Sequence, residues 1–317
     1  MRSLLGALSP SGTRARLSIL IFHRVRPRPD ELFPDEEHAD SFRERMLWVR
    51  EWFNVLPLEE AVSALGRGAL PTRALAITFD DGYADNATVA LPILRGLGLH
   101  ATFFVATQFV DGGRMFNDTV IERVRRAKGD ELDLSALGLG RYPIASLEQR
   151  RHVIEPILAK LKYLPAPDRL ARVEQLAAQS KDALPDDLMM TRAQLRSIAS
   201  AGMGFGGHTR SHPILARIDD GAALHEMAEG REQLEAIVSQ PVRLFAYPNG
   251  KPRLDYTGAH ARMARELGFV AAFSTAPGAA GSHDSLYELP RFTAWGRTPL
   301  PFGLRMAKNL LRGVASA

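Results

Sequence analysis

Short apolar runs alternate with longer segments of helical period along most of the chain, and this alternation restricts its fold more than any other feature. Runs rich in β-branched and aromatic residues predict strands, and the segments between them predict helices. Strands that alternate with helices are typical of a parallel sheet covered by its own helices. The predicted strands are residues 17–22, 74–79, 101–105, 203–206, 244–246 and 269–273, and the predicted helices are residues 41–53, 58–65, 88–97, 192–201, 219–238 and 257–267.

Composition sets the size of the core and the chemistry available to it. With 317 residues, of which 45% are hydrophobic and 24% charged, the chain can bury a substantial core. Because α/β barrels use about 250 residues as one domain, we expect one elaborated α/β domain over residues 17–299. The net charge of +4 is spread without a block of like charges, so we expect no nucleic-acid partner. There is no cysteine, so any metal must be held by histidine and carboxylate.

Two segments depart from the alternation of strands and helices. Residues 112–185 are charged, rich in Leu and Ala, of helical period and interrupted by prolines, which predicts a helical insertion. Residues 300–317 mix Leu, Phe and Met with Arg305, Lys308 and Arg312, which predicts a basic amphipathic tail. A helix packed on the barrel is favoured for this tail, and a helix at a membrane surface is the alternative.

The amino-terminal segment bears on where the protein works. The apolar stretch of residues 4–8 is too short for a secretory signal and is followed by Pro, Gly and two Arg. We therefore expect an uncleaved segment and a cytoplasmic protein. We also expect no transmembrane span, because no window of about 18 uncharged apolar residues occurs.

Two adjacent carboxylates, Asp80 and Asp81, follow an apolar strand in the run AITFDDGY. Functional groups of parallel α/β folds collect at the carboxyl ends of strands. Adjacent acids repel each other, so a bound cation would hold one ionised and leave the other free as a base. A turn or a helix cap is the alternative, because Asp-Gly is a strong turn signal.

Two histidines, His208 and His212, follow a short Gly-rich strand in the run FGGHTRSH. Their spacing puts both imidazoles on one face of a helical turn, where both can reach one ion. One carboxylate with two imidazoles leaves positions open for water and substrate. Histidines without a ligand role are the alternative, but the acids and the histidines both follow strand ends, which favours a metal site.

In this order, TFDDGY and HTRSH resemble the first two motifs of the polysaccharide deacetylase family, whose catalytic domain is also called the NodB homology domain. The resemblance spans about residues 17–291 without the insertion. It implies a distorted (β/α) barrel of about seven strands, with Asp80 as general base. It also implies a metal ion, usually Zn²⁺, held by Asp81, His208 and His212, although these ligands also suit Co²⁺, Ni²⁺ or Fe²⁺.

Two later motifs of the family are replaced here. Many members have Arg-x-Pro-Tyr as a third motif, but this chain has FAYPNG with Ala246 in the position of the arginine. We propose Arg291, in ELPRF, as the residue that orients the base, with Arg243 as a second candidate and an ordinary salt bridge as the alternative. The late Leu-x-His motif is also absent. The early run ILIFHRV resembles the poly-N-acetylglucosamine deacetylase branch, which implies His23 as the general acid; a capping histidine is the alternative.

The expected reaction assigns further roles. Asp80 takes a proton from water beside the metal, the backbone N–H of Tyr83 stabilises the oxyanion, and His23 protonates the leaving amine. The residues predicted to line a sugar groove are Tyr247, Pro248 and Asn249, with Trp295 as a second wall and simple packing as the alternative for each. The insertion, which lies between the two motifs, is expected to overhang the barrel mouth.

Together these features predict a metal-dependent hydrolase that removes the N-acetyl group of an N-acetylated glycan or glycolipid in a bacterial surface-polysaccharide pathway. The expected cytoplasmic location favours a precursor as substrate. One alternative is a C–N hydrolase with a non-sugar amide substrate on the same barrel. Another is a catalytically silent glycan-binding barrel; the two replaced motifs favour it, whereas the retained Asp80 counts against it.

Overall fold

The fold is defined mainly by its strands and their pairing. The structure, a computed structural model, describes residues 1–179, 182–293, 296–313 and 317. In chain order the strands of this part are β1 (Ser18–Phe22), β2 (Asn54–Val55), β3 (Ala74–Phe79), β4 (Thr102–Val105), β5 (Glu131–Leu134), β6 (Gly140–Pro143), β7 (Gly204–Gly207), β8 (Leu244–Ala246) and β9 (Ala271–Phe273).

The main sheet is parallel and curls into a barrel-like shell. Its order is β1-β3-β4-β7-β8-β9, and β2 pairs with the start of β3, which makes seven strands in the described part of the chain. All six predicted strands are present, with ends that differ by at most two residues. The predicted α/β class and distorted barrel are therefore confirmed.

Helices connect the strands and cover the outside of the sheet. The predicted helices all occur, and the helix α1 (Arg2–Leu8) and the strand β2 are additions that the sequence did not indicate. The region predicted as one helix from residue 88 begins with a π-helical turn, Asn86–Ala90, and continues as α4 (Leu91–Leu97). The α-helices of the described residues are α1 (Arg2–Leu8), α2 (Ala39–Trp52), α3 (Leu58–Gly66), α4 (Leu91–Leu97), α5 (Phe116–Arg126), α6 (Leu147–Lys162), α7 (Ala166–Ala178), α8 (Arg192–Ser200), α9 (Asp220–Val238), α10 (Gly258–Glu266) and α11 (Pro299–Leu310).

An irregular segment, residues 289–292, closes the space between the two edge strands β9 and β1. Leu289 forms a parallel bridge with Phe273 of β9, and Phe292 forms one with Leu20 of β1. The Phe292 N–H donates to the Ile19 carbonyl, and the Phe292 carbonyl accepts from Ile21, both at 3.1 Å. This closing segment therefore completes the ring.

Alternate strand residues belong to two different cores. Residues such as Ala74, Ala76 and Phe104 form a cluster of buried side chains that is separate from the larger cluster beneath the helices. Because side chains of a strand alternate between its faces, Asp80 continues the face of Ala74 and Ala76. By the same rule His208 continues the face of Gly206. The alternation of side chains along β3 and β7 therefore places Asp80 and His208 on the faces of these strands that point into the barrel.

The predicted insertion has its own buried core beside the barrel. It contains α5, α6 and α7, together with an antiparallel hairpin of β5 and β6 that the purely helical prediction did not include. Val120, Ile157, Leu161 and Leu176 are among the side chains of this core, each at most 1% exposed. The boundaries at residues 112 and 185 stay a prediction.

The carboxyl-terminal helix α11 packs on the barrel through one face. Phe302 lies against Trp48 and Trp52 of α2, with ring centroids 5.6 and 6.1 Å apart. The opposite side exposes leucines, of which Leu300 is 64% and Leu304 52% exposed. None of the described helices is long and apolar enough to cross a membrane.

Candidate metal centre and active site

Asp81, His208 and His212 converge at the carboxyl ends of β3 and β7. The Nε2 atoms of both histidines lie 3.4 Å from Asp81 Oδ1, and one ligand atom from each of the three residues falls within 4.8 Å of the others. The imidazole centroids are 4.8 Å apart. One carboxylate and two imidazoles at this spacing match the ligands that Zn²⁺ prefers.

A backbone carbonyl fixes the orientation of His208. Its Nδ1 lies 2.7 Å from the Ala246 carbonyl oxygen, so this nitrogen carries the proton and Nε2 is free to face a metal. Ala246 stands where the third motif of the family has arginine. Residue 246 therefore contributes to the site through its backbone carbonyl, which accepts from His208, and not through its side chain.

Glu226 of α9 holds the loop between the two histidines. Its carboxylate accepts from the backbone N–H groups of Arg210 and Ser211 at 3.0 and 2.7 Å, and from the Ser211 hydroxyl at 2.6 Å. Gly230 of the same helix allows the close approach, because a Cβ there would lie 2.5 Å from the Thr209 carbonyl carbon. Sequence analysis did not find these two supporting residues, which a two-histidine motif does not specify.

Three loop residues of the site have a left-handed backbone. Asp81 has φ = 76°, His212 has φ = 57° and Asn249 has φ = 59°. Asp, His and Asn adopt this region more readily than other residues with side chains, and Arg73 and Ser239 also have a positive φ away from the site. These angles therefore shape the loops without indicating a chemical role.

The charges at the centre favour a bound cation. Burial lowers the pKa of His212 to about 4, so this imidazole is neutral near pH 7, as a metal ligand must be. Burial alone would raise the pKa of Asp81, but its histidine neighbours outweigh this effect and lower it. Burial would likewise lower the pKa of His208, yet Asp80 and Asp81 raise it.

Arg291 clamps Asp80 in the barrel interior. Its Nη1 and Nη2 donate to the two carboxylate oxygens at 2.6 and 2.7 Å, and the arginine is 0% exposed. Nη1 also donates to the Thr78 hydroxyl and Nε to the Ser274 carbonyl, each at 3.2 Å. Burial would raise the pKa of Asp80, but the Arg291 charge and the His208 imidazole together lower it. Asp80 is thus held as an oriented carboxylate.

The glycines of β7 make room for this clamp. A Cβ on Gly206 would lie 2.2 Å from the Phe104 ring. The Arg291 guanidinium carbon lies 5.1 Å from the centroid of the same ring, within cation–π range. Gly206 therefore permits the ring position against which Arg291 packs.

Arg243, the second candidate for orienting the base, lies elsewhere. It is exposed, precedes β8 at the opposite end of that strand, and forms an ion pair with Glu59 at 3.2 Å. This geometry excludes it from the clamp on Asp80.

His23 and Tyr83 border the metal centre from the ends of β1 and β3. The His23 side chain is exposed and lines the same cavity of about 270 Å³ as Asp80, Asp81 and the two metal-facing histidines. The Tyr83 ring is buried, and its hydroxyl donates to Asp118 of α5 at 3.0 Å, which ties the insertion to the loop that carries the acids. Within the described residues the Tyr83 N–H has no hydrogen-bond acceptor, although its neighbours Gly82 and Ala84 each have one. The catalytic roles of His23 and Tyr83 stay predictions.

The predicted sugar groove is only partly assembled. Asn249 lines the cavity. Tyr247 is 0% exposed, stacks on Tyr256 at 3.9 Å and donates its hydroxyl to the Tyr287 carbonyl, so it packs in the core instead of facing a sugar. Pro248 is also buried and does not line the cavity. Trp295 lies outside the described residues.

The insertion forms one wall of this cavity, as its place in the chain predicted. Met115, Phe116 and Asn117 contribute from the start of α5, and Glu155 and Lys162 contribute from α6. A molecule bound in this cavity would therefore contact both the barrel and the insertion.

Comparisons with known proteins agree with this arrangement. A family model described as polysaccharide deacetylase matches residues 67–272, and the chain belongs to this family. YxkH of Bacillus subtilis (strain 168) is 22% identical over 279 residues, which covers 87% of this chain and 71% of that protein.

Two solved structures of similar fold cover nearly the whole chain. The Streptococcus pyogenes deacetylase PplD, in complex with acetate, matches with a TM-score of 0.61 and 20% identity over 94% of this chain and 99% of its own. IcaB from Ammonifex degensii matches with a TM-score of 0.60 and 18% identity over 95% and 98%. At these identities the likeness shows the fold.

Proposed function

We propose that this protein is a metal-dependent hydrolase that removes the N-acetyl group of an N-acetylated sugar. Sugar deacetylation is the activity that the polysaccharide deacetylase family supports. The observation that carries the finer proposal is the pairing of a three-residue metal centre with a separate, buried and clamped carboxylate, Asp80. A barrel that only bound glycan would not need this second carboxylate.

The site residues have separate roles in the proposed reaction. Asp81, His208 and His212 would hold the ion, which supplies activation of water and polarisation of the acetyl carbonyl. Asp80 accepts the proton of the attacking water, because Arg291 keeps it ionised and fixes the direction of its oxygens.

Two further groups complete the proposed reaction. The Tyr83 N–H would donate to the oxygen on which negative charge develops; losing one such donor in other enzymes costs about 10²–10³ in rate. His23 gives a proton to the departing amine, so that the sugar leaves as a neutral amine.

Acetate release from N-acetylglucosamine oligomers tests this proposal. Protein stripped of metal should be inactive, and Zn²⁺ or Co²⁺ should restore release in the wild type but not in Asp80→Asn. Asp130→Asn, a substitution at an exposed aspartate of the insertion, is the matched control and should keep full activity.

Two results would contradict the proposal. Release of formate or opening of a cyclic imide without any action on sugar oligomers would favour the non-sugar C–N hydrolase. Glycan binding with stoichiometric metal and no release from any amide would favour the silent barrel.

We also propose that the protein works on the cytoplasmic side of the inner membrane and contacts it through α11. Leu300, Leu304 and Leu311 are 64%, 52% and 71% exposed, and their spacing of four and seven residues places them on one face of the helix. Lys308 and Arg312 flank this face. Exposed leucines beside cations suit an anionic lipid surface.

Vesicle flotation tests the membrane contact. Wild-type protein should float with vesicles of phosphatidylglycerol and phosphatidylcholine, and Leu300→Ser/Leu304→Ser should not. The control is Leu147→Ser, which removes a leucine of the insertion that is 46% exposed. Equal flotation of all three proteins would exclude α11 as the contact.

A further inference from the structure

A second cavity, here called the arginine cavity, opens beside the metal centre between the barrel and the insertion. Its volume is about 380 Å³, and it shares Met115, Phe116 and His212 with the cavity at the metal centre. Since His212 faces both spaces, a substituent of a substrate bound at the metal can extend into the arginine cavity. The reaction described above leaves this space unused.

Two arginines line the arginine cavity without a negative partner among the described residues. Neither Arg114 nor Arg169 has a carboxylate within 4.0 Å in this part of the chain, whereas Arg24 and Arg291 each pair with a buried aspartate.

The hydrogen bonds of Arg114 and Arg169 are to neutral backbone carbonyls. Arg169 Nη1 donates to the Lys162 carbonyl at 3.1 Å, and Arg114 Nη1 donates to the Leu184 and Pro185 carbonyls at 3.3 and 2.6 Å. Arg114 Nε is buried without a hydrogen-bond partner among the described residues.

Burial makes this uncompensated charge costly. Both arginines are half-buried, and burial lowers the pKa of Arg169, whose guanidinium carbon lies 5.1 Å from the centroid of the Phe116 ring. A cation taken partly out of water without a counter-charge is unfavourable, and a bound anion relieves that cost. Arginine is also the side chain best shaped to grip a phosphate or carboxylate with two parallel hydrogen bonds.

Most of the other residues that line the arginine cavity are apolar. They are Phe109, Met115, Phe116, Val173 and Leu170, which is 57% exposed, whereas Gln108, Ser211 and His212 add polar groups. A small hydrophilic anion would leave these walls in contact with water. An anion that continues into a hydrocarbon chain would cover them and gain the free energy of apolar burial.

We propose that the arginine cavity binds a phosphate that joins the acetamido sugar to a hydrocarbon chain, so that the substrate class is a lipid phosphate-linked N-acetylated sugar. This inference rests on the proposed deacetylase function and names its substrate. Arg114 and Arg169 bind the phosphate, and the aromatic and aliphatic walls bind the start of the chain.

The test compares acetate release from three soluble substrates. The first is the neutral N-acetylglucosamine tetramer. The second is a tetrasaccharide that alternates N-acetylglucosamine with glucuronic acid, which offers a carboxylate without a lipid. The third is N-acetylglucosamine joined through a diphosphate to a ten-carbon prenyl chain. The variants are Arg114→Gln and Arg169→Gln, and the control is Arg172→Gln, which lies on α7 but lines neither cavity.

The expected result is selective. Each cavity variant should raise KM for the prenyl substrate at least tenfold with kcat retained, since a hydrogen bond to a charged group contributes about 1.5–3 kcal/mol. The neutral tetramer should change less than twofold, and Arg172→Gln should match the wild type on every substrate. Geranyl diphosphate should also raise the melting temperature of metal-free wild type more than that of Arg169→Gln, a readout independent of turnover.

Other outcomes overturn the inference in distinguishable ways. An equal rise in KM for the uronic acid and prenyl substrates would show that the cavity binds anionic glycans in general. It would reject a lipid phosphate as the specific ligand. Unchanged kinetics of both variants, with the tetramer still hydrolysed, would reject the cavity while leaving the deacetylase function intact. Absence of acetate from all three substrates would reject the deacetylase function itself.

Discussion

Replacing Arg291 with methionine should destabilise the protein more than any surface substitution. The side chain is fully buried and forms four hydrogen bonds, two to Asp80 and one each to Thr78 and Ser274. Methionine fills a similar volume but leaves the Asp80 carboxylate in the interior without its counter-charge. Metal-free protein is the right state for the measurement, because a bound ion adds its own stabilisation.

The magnitude follows from the contacts that are lost. Removing one partner of a buried ion pair costs about 3–5 kcal/mol, and a buried carbonyl left without a donor, as at Ser274, costs about 1–3 kcal/mol. Protonation of Asp80 relieves part of this cost. We expect Arg291→Met to lower the free energy of unfolding by about 4 kcal/mol, against a typical total of about 5–15 kcal/mol.

Urea unfolding in EDTA, followed by circular dichroism, measures the effect in a double-mutant cycle. Arg291→Met combined with Asp80→Asn should be less destabilised than the sum of the two single variants by at least about 2 kcal/mol, because the orphaned charge is gone. Arg243→Met, which breaks the exposed pair with Glu59, should cost less than about 1 kcal/mol. A loss below about 1 kcal/mol for Arg291→Met, or additive costs in the cycle, would refute the clamp.

Three more predictions follow from the site and its supports. Saturating Zn²⁺ should raise the melting temperature of metal-free wild type by several degrees but leave His208→Ala unchanged; a shift that survives in the variant would place the ion elsewhere. Gly206→Ala should cost about 1–3 kcal/mol in urea unfolding, since its Cβ would meet the Phe104 ring at 2.2 Å, whereas a Cβ at Gly96 meets nothing within 4 Å and Gly96→Ala should not destabilise. Burial raises the pKa of Asp118 to about 6 from 3.8, so wild-type stability should fall by about 3 kcal/mol as pH rises through that range, and Asp118→Asn should lack this fall; parallel stability curves for the two proteins between pH 4.5 and 7.5 would contradict it.

The sequence specified the barrel because its strands are buried on both faces. Such strands appear as continuous apolar runs, which are easy to separate from helices of period 3.6. The hairpin of β5 and β6 was missed because its segments, ELDL and GRYP, are short and mixed in polarity and lie within a Leu- and Ala-rich region. Its pairing depends on the core of the insertion, which no local pattern displays.

The sequence reveals site residues whose motifs are local in the chain. It does not reveal roles that depend on contacts between distant residues. Asp80 and Asp81 are adjacent in the chain, and the two histidines are four apart, so their motifs can be recognised directly. Arg291 lies 211 positions from Asp80, and only the missing arginine of the third motif suggested a replacement. Tyr247 is predicted to line a sugar groove because aromatic faces stack on pyranose rings, but its ring stacks on Tyr256, and no local pattern displays that tertiary contact.

The closing segment lies near the end of the chain, so the two parts of the candidate site are synthesised at different times. The candidate metal ligands Asp81, His208 and His212 all precede Arg291 in the sequence, and β1 pairs with Phe292 of the closing segment. We therefore expect a chain that ends before the closing segment to keep the three candidate ligands while Asp80 lacks the guanidinium that orients it.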